Sequence, residues 1–343
     1  MKAILKRGTN RAELGEIEKK IGKGNTRIRT LRVGIDGTDR EVLNKEDGKP
    51  YPEDDDFLVM GHEAVGRVEE SEKFSKGTLV VPTVRRPTCG CDYARKGRSD
   101  LCPEGHYQER GIEGLHGFGC EEFFEEDENL VEIPEELEKI GVLVEPLSIF
   151  EKAFSEIKKA QERISFEPEN CLVLGAGSIG LLSAMGIRKR GLDLTVMDIV
   201  SEKHPKAGIV EDIGGTYHNN RHTGIEEIGK FDLIIEASGV SEQIVEGVKA
   251  LKDTGAMVSL GLPRRKKVKQ CDIGEFHEQL VRGNKLLIGS VNSSREHYRK
   301  AVDELSELMG DFPVENIIDT SVPPEAFMKS FMPRIKGEII FQD

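Results

Sequence analysis

Cys171-Leu-Val-Leu-Gly175-Ala-Gly177-Ser178-Ile179-Gly180 is the stretch whose reading decides the fold. A short apolar run, of the kind that forms a buried strand, ends at a glycine. Two more glycines follow at the G-x-G-x-x-G spacing, and Leu181 to Arg188 then reads as a helix. Strand, tight turn and helix together aim backbone N–H groups and a positive helix end at a pyrophosphate. In that reading Gly175 makes the turn, Gly177 lets the backbone approach the phosphates and Gly180 lets helix and strand pack closely; Ser178 and Ile179 complete the loop. Asp198 closes the next apolar run, Leu194-Thr-Val-Met197, at roughly the ~20-residue offset of a ribose-binding carboxylate. A dinucleotide site is expected here. A glycine-rich turn in another α/β domain shares part of the pattern, whereas the glycines and polar flanks argue against a membrane span.

Outward from this stretch, further strand patterns stand at 194–198, 231–236, 256–260 and 286–288, most of them separated by helical patterns. Alternation of this kind predicts a doubly wound parallel sheet, a Rossmann domain over residues 166–291. Residues 1–160 read differently, with short strands such as Ala3–Leu5 and Thr30–Ile35, glycine turns and charged loops. Residues 151–165 read as a linking helix, and 121–128 as a strand ending in a solvated acidic patch. At 343 residues two domains are the natural expectation. The net charge of −13 argues against a general nucleic-acid surface. Six cysteines, with no signal-type apolar segment in the opening residues, suggest thiols or metal ligands and a cytoplasmic protein.

A metal site is expected in the first domain. Gly34-Ile-Asp36-Gly-Thr38-Asp39-Arg40-Glu41 puts a carboxylate among glycines, and Gly61-His62-Glu63-Ala-Val-Gly66 puts His-Glu at a strand start. These motifs, with Val81-Pro-Thr-Val-Arg-Arg-Pro87, resemble the zinc-dependent medium-chain dehydrogenase/reductase superfamily, and most closely its archaeal glucose dehydrogenase branch. The resemblance covers essentially the whole chain. It implies a β-rich GroES-like catalytic domain, to which residues 292–343 return, with the site in the cleft between domains. Most members carry Cys as first zinc ligand; Asp36 stands there in this chain. Zinc accepts a carboxylate oxygen, and a catalytic site needs three protein ligands and an open position. By resemblance those ligands are Asp36, His62 and Glu145, the last from Glu145-Pro-Leu-Ser148, while Glu63 either touches the metal or supports the site.

The same resemblance assigns Thr38 to the reacting substrate oxygen, Glu109 to sugar hydroxyls, Asn292 to nicotinamide and substrate, and Leu260, Gly261 and Ser290 to the cofactor. Glu109 read alone is equally a salt-bridge partner for Arg110 or a neighbour. The family's structural-zinc lobe is altered: Cys89, Cys91 and Cys102 remain, and Asp92 or His106 would have to supply a fourth ligand. Asp198 points to NAD in preference to NADP, because a carboxylate accepts from ribose hydroxyls and repels a 2′-phosphate; Lys203 and His204 soften that preference. The expected activity is zinc- and NAD(P)-dependent oxidation of an aldose at C1 to the lactone by a homo-dimer or homo-tetramer. A polyol or alcohol dehydrogenase of the same superfamily and a non-catalytic NAD-binding homologue are the competing readings.

Overall fold

Thr26-Arg-Ile-Arg-Thr-Leu-Arg-Val33 interleaves arginine with branched side chains and forms a strand. The computed structural model describes residues 1–263 and 272–342. Two units are present: Met1–Ser148 with Asn292–Ser306 and Ile317–Asp343, and Ile149–Val291 with Glu307–Asn316. The first unit opens with β1 (Lys2–Lys6), β2 (Ala12–Glu16), β3 (Thr26–Ile35), helix α1 (Gly37–Asn44), β4 (Leu58–Val59), β5 (Glu63–Glu70) and β6 (Leu79–Pro82). Then follow β7 (Arg85–Pro87), the one-turn α2 (Asp92–Arg95), β8 (Tyr107–Arg110), β9 (Gly114–Leu115), β10 (Glu122–Glu125) and β11 (Leu130–Glu132).

Helix α3 (Val144–Gln161) starts in the first unit and continues in the second. It begins earlier than the linking helix expected at 151–165, so Glu145 lies in its first turn. Phe150, Ala153 and Ile157 are buried, Glu151 pairs with Arg190 at 3.0 Å and Gln161 donates to the Thr254 carbonyl at 2.7 Å, which gives this helix to the second unit.

The second unit holds β12 (Asn170–Leu174), α4 (Ser178–Lys189), β13 (Asp193–Asp198), α5 (Pro205–Asp212), β14 (Thr216–Asn219), β15 (Phe231–Glu236), α6 (Ser241–Ala250), β16 (Leu251–Ser259), α7 (Ile273–Arg282) and β17 (Leu286–Gly289). Its six strands run β14-β13-β12-β15-β16-β17, every pair parallel, which is the doubly wound sheet that the alternating pattern predicts. Leu172, Leu174, Met197, Ile234, Val248 and Met257 form its core. β14, Thr-Tyr-His-Asn, escaped the sequence reading because an edge strand needs no continuous apolar run.

After α8 (Arg295–Asp311) the chain returns to the first unit with β18 (Ile318–Val322) and β19 (Lys336–Ile340). The main sheet there runs β11-β6-β5-β3-β19-β18, with β10 also on β3. Register sets the site: Gly34 of β3 stands opposite Glu63 of β5.

The expected solvated patch at 121–128 is corrected at Glu125. The burial of β10 alternates, so Phe123 and Glu125 share its inward face. Glu125 accepts from Arg86 at 2.7 Å and faces Arg110 at 3.5 Å. Burial raises the Glu125 carboxyl, but the two guanidinium groups outweigh it and hold the pKa below the ordinary value. Glu125→Ala leaves both cations without their carboxylate, and the expected loss is about 3–5 kcal/mol. Urea unfolding of mutant and parent measures it; a loss below ~1 kcal/mol would contradict the ion-pair account.

Candidate metal centre and dinucleotide loop

Asp36 is held by the backbone it caps. β3 ends at Ile35, and Asp36 becomes the N-cap of α1, its Oδ1 accepting from the N–H groups of Thr38 at 2.7 Å and Asp39 at 3.2 Å. Asp39 Oδ2 accepts the Asp36 N–H at 3.0 Å, closing a capping box. The other Asp39 oxygen lies 3.3 Å from His62 Nδ1. A carboxylate there places the ring proton on Nδ1 and leaves the Nε2 lone pair free to bind a metal. Nε2 lies 3.8 Å from Asp36 Oδ1. That is too long for a hydrogen bond. Two atoms on one tetrahedral zinc, each at about 2.0–2.1 Å, stand about 3.3–3.5 Å apart, so the pair is near ligand spacing.

The donor atoms of His62, Glu63 and Glu145 also lie within 4.8 Å of one another, as do those of Asp36, Asp39 and His62. His62 is the shared member; Asp36 and Glu145 fall in different groups. Glu63 and Lys336, at the start of β19, form an ion pair with both side chains fully buried. The second Glu63 oxygen, Oε1, is buried without a hydrogen-bond partner among the described residues. A buried carboxylate oxygen left over beside His62 suits a cation, and the residues fit a zinc ion.

The electrostatics agree with that fit. Burial pushes the Glu145 carboxyl up to about 8. Burial opposes the charge on His62, yet Asp39 and Asp36 outweigh it and raise its pKa well above the ordinary value. Burial also disfavours the Asp36 carboxylate, but His62, Lys336 and the capping N–H groups keep its pKa low. A cluster this acidic holds a cation in any case, a proton on His62 or a divalent ion in its place.

Glu109 and Asn292 meet. Glu109 Oε1 accepts from Asn292 Nδ2 at 2.9 Å and from Arg85 Nε at 3.0 Å. The salt-bridge partner is therefore Arg85; Arg110 faces Glu125 instead. Asn292 has a left-handed backbone, φ 59°, and its Oδ1 accepts the Ser293 N–H at 2.8 Å. Ser293 Oγ lies 2.6 Å from Ser148 Oγ, which donates to the Glu145 carbonyl, so the turn at Asn292 is tied to the first turn of α3. Tyr298, 1% exposed, senses the charges of Glu145, Glu63 and Glu109 together. Thr38 is half-buried beside Asp36.

In the second unit the glycine loop joins β12 to α4. Gly175 has φ 97°, and a Cβ on Gly180 would lie 1.8 Å from the Gly175 carbonyl oxygen. Among the described residues a Cβ on Gly177 would meet nothing within 4 Å. Gly177 caps α4 with no side-chain hydrogen bond, so Ser178, Ile179 and Gly180 lead into an uncapped N-terminus that suits a pyrophosphate. The N–H groups of Leu260 and Gly261 donate to the Glu236 carbonyl at 2.8 and 3.3 Å, and Ser290 N–H to the Ser259 carbonyl at 3.0 Å. The Ser290 hydroxyl is buried with no hydrogen-bond partner among the described residues.

Cys89, Cys91 and Cys102 converge, their sulfurs within 4.8 Å, and Cys91 lies 3.6 Å from Cys102. Neither Asp92, paired with Arg95, nor the exposed His106 joins them among the described residues. Three residues of the first unit went unassigned in the sequence. Asp39 carried a signal, the D-x-x-D of a capping box. Arg85 and Lys336 carried none, the latter meeting Glu63 across 273 residues.

This arrangement belongs to a known class. Residues 22–135 match the alcohol dehydrogenase GroES-like domain, and residues 138–337 the glucose dehydrogenase C-terminus. Glucose 1-dehydrogenase 1 of Haloterrigena turkmenica is 39% identical over 319 residues, 90% of this chain and 87% of that one. Glucose 1-dehydrogenase of Thermoproteus tenax is 38% identical over 324 residues, 92% of this chain and 90% of that one. Glucose dehydrogenase from Haloferax mediterranei in complex with NADP, Zn and gluconolactone superposes with a TM-score of 0.92 at 35% identity, covering 100% of both chains. The chain belongs to the glucose dehydrogenase family of the zinc-dependent medium-chain dehydrogenases.

Asp39→Asn weakens the anchor that sets the His62 tautomer. Zinc affinity is expected to fall about 10–100-fold, read by competition with a chromophoric chelator. Unchanged affinity would remove Asp39 from the account of the centre.

Proposed function

We propose that this chain oxidises an aldose, glucose or a near relative, at C1 to the aldonolactone, with one zinc ion and a nicotinamide dinucleotide, NAD in preference to NADP. The observation that carries the reading is His62, shared by the Asp36–Asp39 donors and the Glu63–Glu145 donors, in the same unit as the Glu109–Asn292 pair. The gluconolactone bound to the Haloferax relative supports the sugar and the product. When bound, the zinc supplies a Lewis acid for the C1 hydroxyl and the dinucleotide accepts the hydride.

The chain's own residues do the rest. Asp36, His62 and Glu145 hold the metal, and Glu63, neutralised on one side by Lys336, supports it. Thr38 accepts the substrate hydroxyl proton only as it passes its own hydroxyl proton on toward solvent, so it ends neutral. Glu109 accepts from sugar hydroxyls and Asn292 both donates and accepts, which rejects analogues that lack those hydroxyls. Arg85, 3.0 Å away, holds the Glu109 carboxylate in place. In the second unit Gly175, Gly177 and Gly180 shape the pyrophosphate loop, Asp198 meets the adenosine ribose, and Leu260, Gly261 and Ser290 border the cofactor. Cys89, Cys91 and Cys102 offer three thiols to a second zinc, one ligand short of a closed structural site. Among the described residues no helix is long and apolar enough to cross a membrane, and we place the enzyme in the cytoplasm as a homo-dimer or homo-tetramer. Light scattering on the purified chain measures the assembly.

Absorbance at the NADH band across aldoses, polyols and simple alcohols tests the reaction. Glucose or a close aldose is expected to lead, with kcat/KM higher for NAD than for NADP; a preferred polyol or alcohol would replace the sugar assignment. His62→Ala is expected to lose the metal and about 10³-fold or more in kcat while thermal unfolding still shows a folded chain. Full turnover in that metal-free variant would exclude the zinc mechanism.

A further inference from the structure

One carboxylate joins the glycine loop to the end of β13. Asp198 Oδ2 accepts the Ala176 N–H at 2.8 Å, and Oδ1 accepts the Ile199 N–H at 2.6 Å. Lys206 Nζ lies 3.2 Å from the same Oδ2, and the two side chains are only 15% and 11% exposed. Lys206 occupies the second position of α5, behind Pro205, and its N–H donates to Nδ1 of the N-cap His204 at 3.3 Å. Its backbone is therefore fixed, and the four-carbon stem is the part that turns.

Asp198 thus has two tasks. A carboxylate offers about four lone-pair sites, and three are taken by Ala176, Ile199 and Lys206. One remains for a ribose hydroxyl. Alone, the charge of Asp198 would repel a 2′-phosphate; beside Lys206 it is neutralised. The cation was expected at Lys203 or His204. Lys203 is exposed, and His204 Nδ1 is committed to the cap of α5.

We propose that Lys206 is the residue that admits NADP to this site, its ammonium resting on Asp198 when the ribose carries a free 2′-hydroxyl and turning to the 2′-phosphate when it carries one. The proposal rests on the reading of the glycine loop as a dinucleotide site, and it makes the NAD preference partial. The exchange keeps the lysine charge paired in both complexes, but in the second it leaves Asp198 to the Ala176 and Ile199 N–H groups and beside the phosphate, so NAD keeps the preference.

Calorimetric titration of the full chain with NADH and with NADPH, without sugar, reads this directly. Lys206→Met keeps much of the apolar stem and removes the charge; Lys206→Arg restores it. NADPH affinity in Lys206→Met is expected to fall at least ~10-fold more than NADH affinity, with Lys206→Arg returning most of the difference. The salt dependence of NADPH binding should flatten in Lys206→Met, because one phosphate-facing cation is gone. Thermal unfolding of each variant separates this from a folding defect, and Lys206→Gln, which also removes the charge, carries the comparison if Lys206→Met unfolds. Equal losses for both cofactors, or none for NADPH, overturn the proposal and leave the dinucleotide site standing. Parent protein that binds neither cofactor overturns both.

Discussion

The hydrogen bonds between Asp36 and Asp39 at the start of α1 are what the rest of the candidate centre depends on. They satisfy orphan N–H groups of a short helix, so the fold has its own reason to keep them. In doing so they aim one oxygen of Asp36 toward His62 Nε2 and one of Asp39 at Nδ1. A ligand on a flexible loop would lose side-chain entropy when the metal arrives. Here that cost is already met by folding, so Asp36 is positioned in advance for a cation.

Concentrated charge is the second constraint. Asp36, Asp39, Glu63 and Glu145 stand around one histidine, and burial disfavours the charge on Asp36, Glu63 and Glu145. Lys336 relieves this by pairing with Glu63 in a fully buried contact. The closeness of β3 to β5 permits it: a Cβ on Gly34 would sit 2.0 Å from Glu63 Oε2. Strand register, a missing side chain and a lysine from the far end of the chain together hold a glutamate whose free oxygen stays available.

The second unit solves a different problem with the same economy. Its parallel sheet is apolar within, and its polar atoms gather where strands end. Glu236, fully buried at the end of β15, accepts from the N–H groups of Ser238 and Gly239 and from the Ser259 hydroxyl. Asp198 does the like for Ala176 and Ile199. Loops that meet a dinucleotide through backbone groups need such internal supports, because their own side chains are too small to hold them.

What the sequence determined by itself was local or periodic. Apolar runs at strand length, the glycine spacing at 175–180 and the His62-Glu63 pair each announce their geometry within about ten residues, and the parallel sheet, the glycine loop and the β-rich first unit were legible for that reason. Residue 125 misled because a charged strand reads as solvated until its partners, Arg86 and Arg110, are known. Only the tertiary structure decided which charges neutralise one another: Lys336 with Glu63, Arg85 with Glu109, Lys206 with Asp198. Local spacing names the carboxylates, but long-range packing chooses their counter-charges, since a buried ion pair depends on distance in space, which sequence separation does not carry.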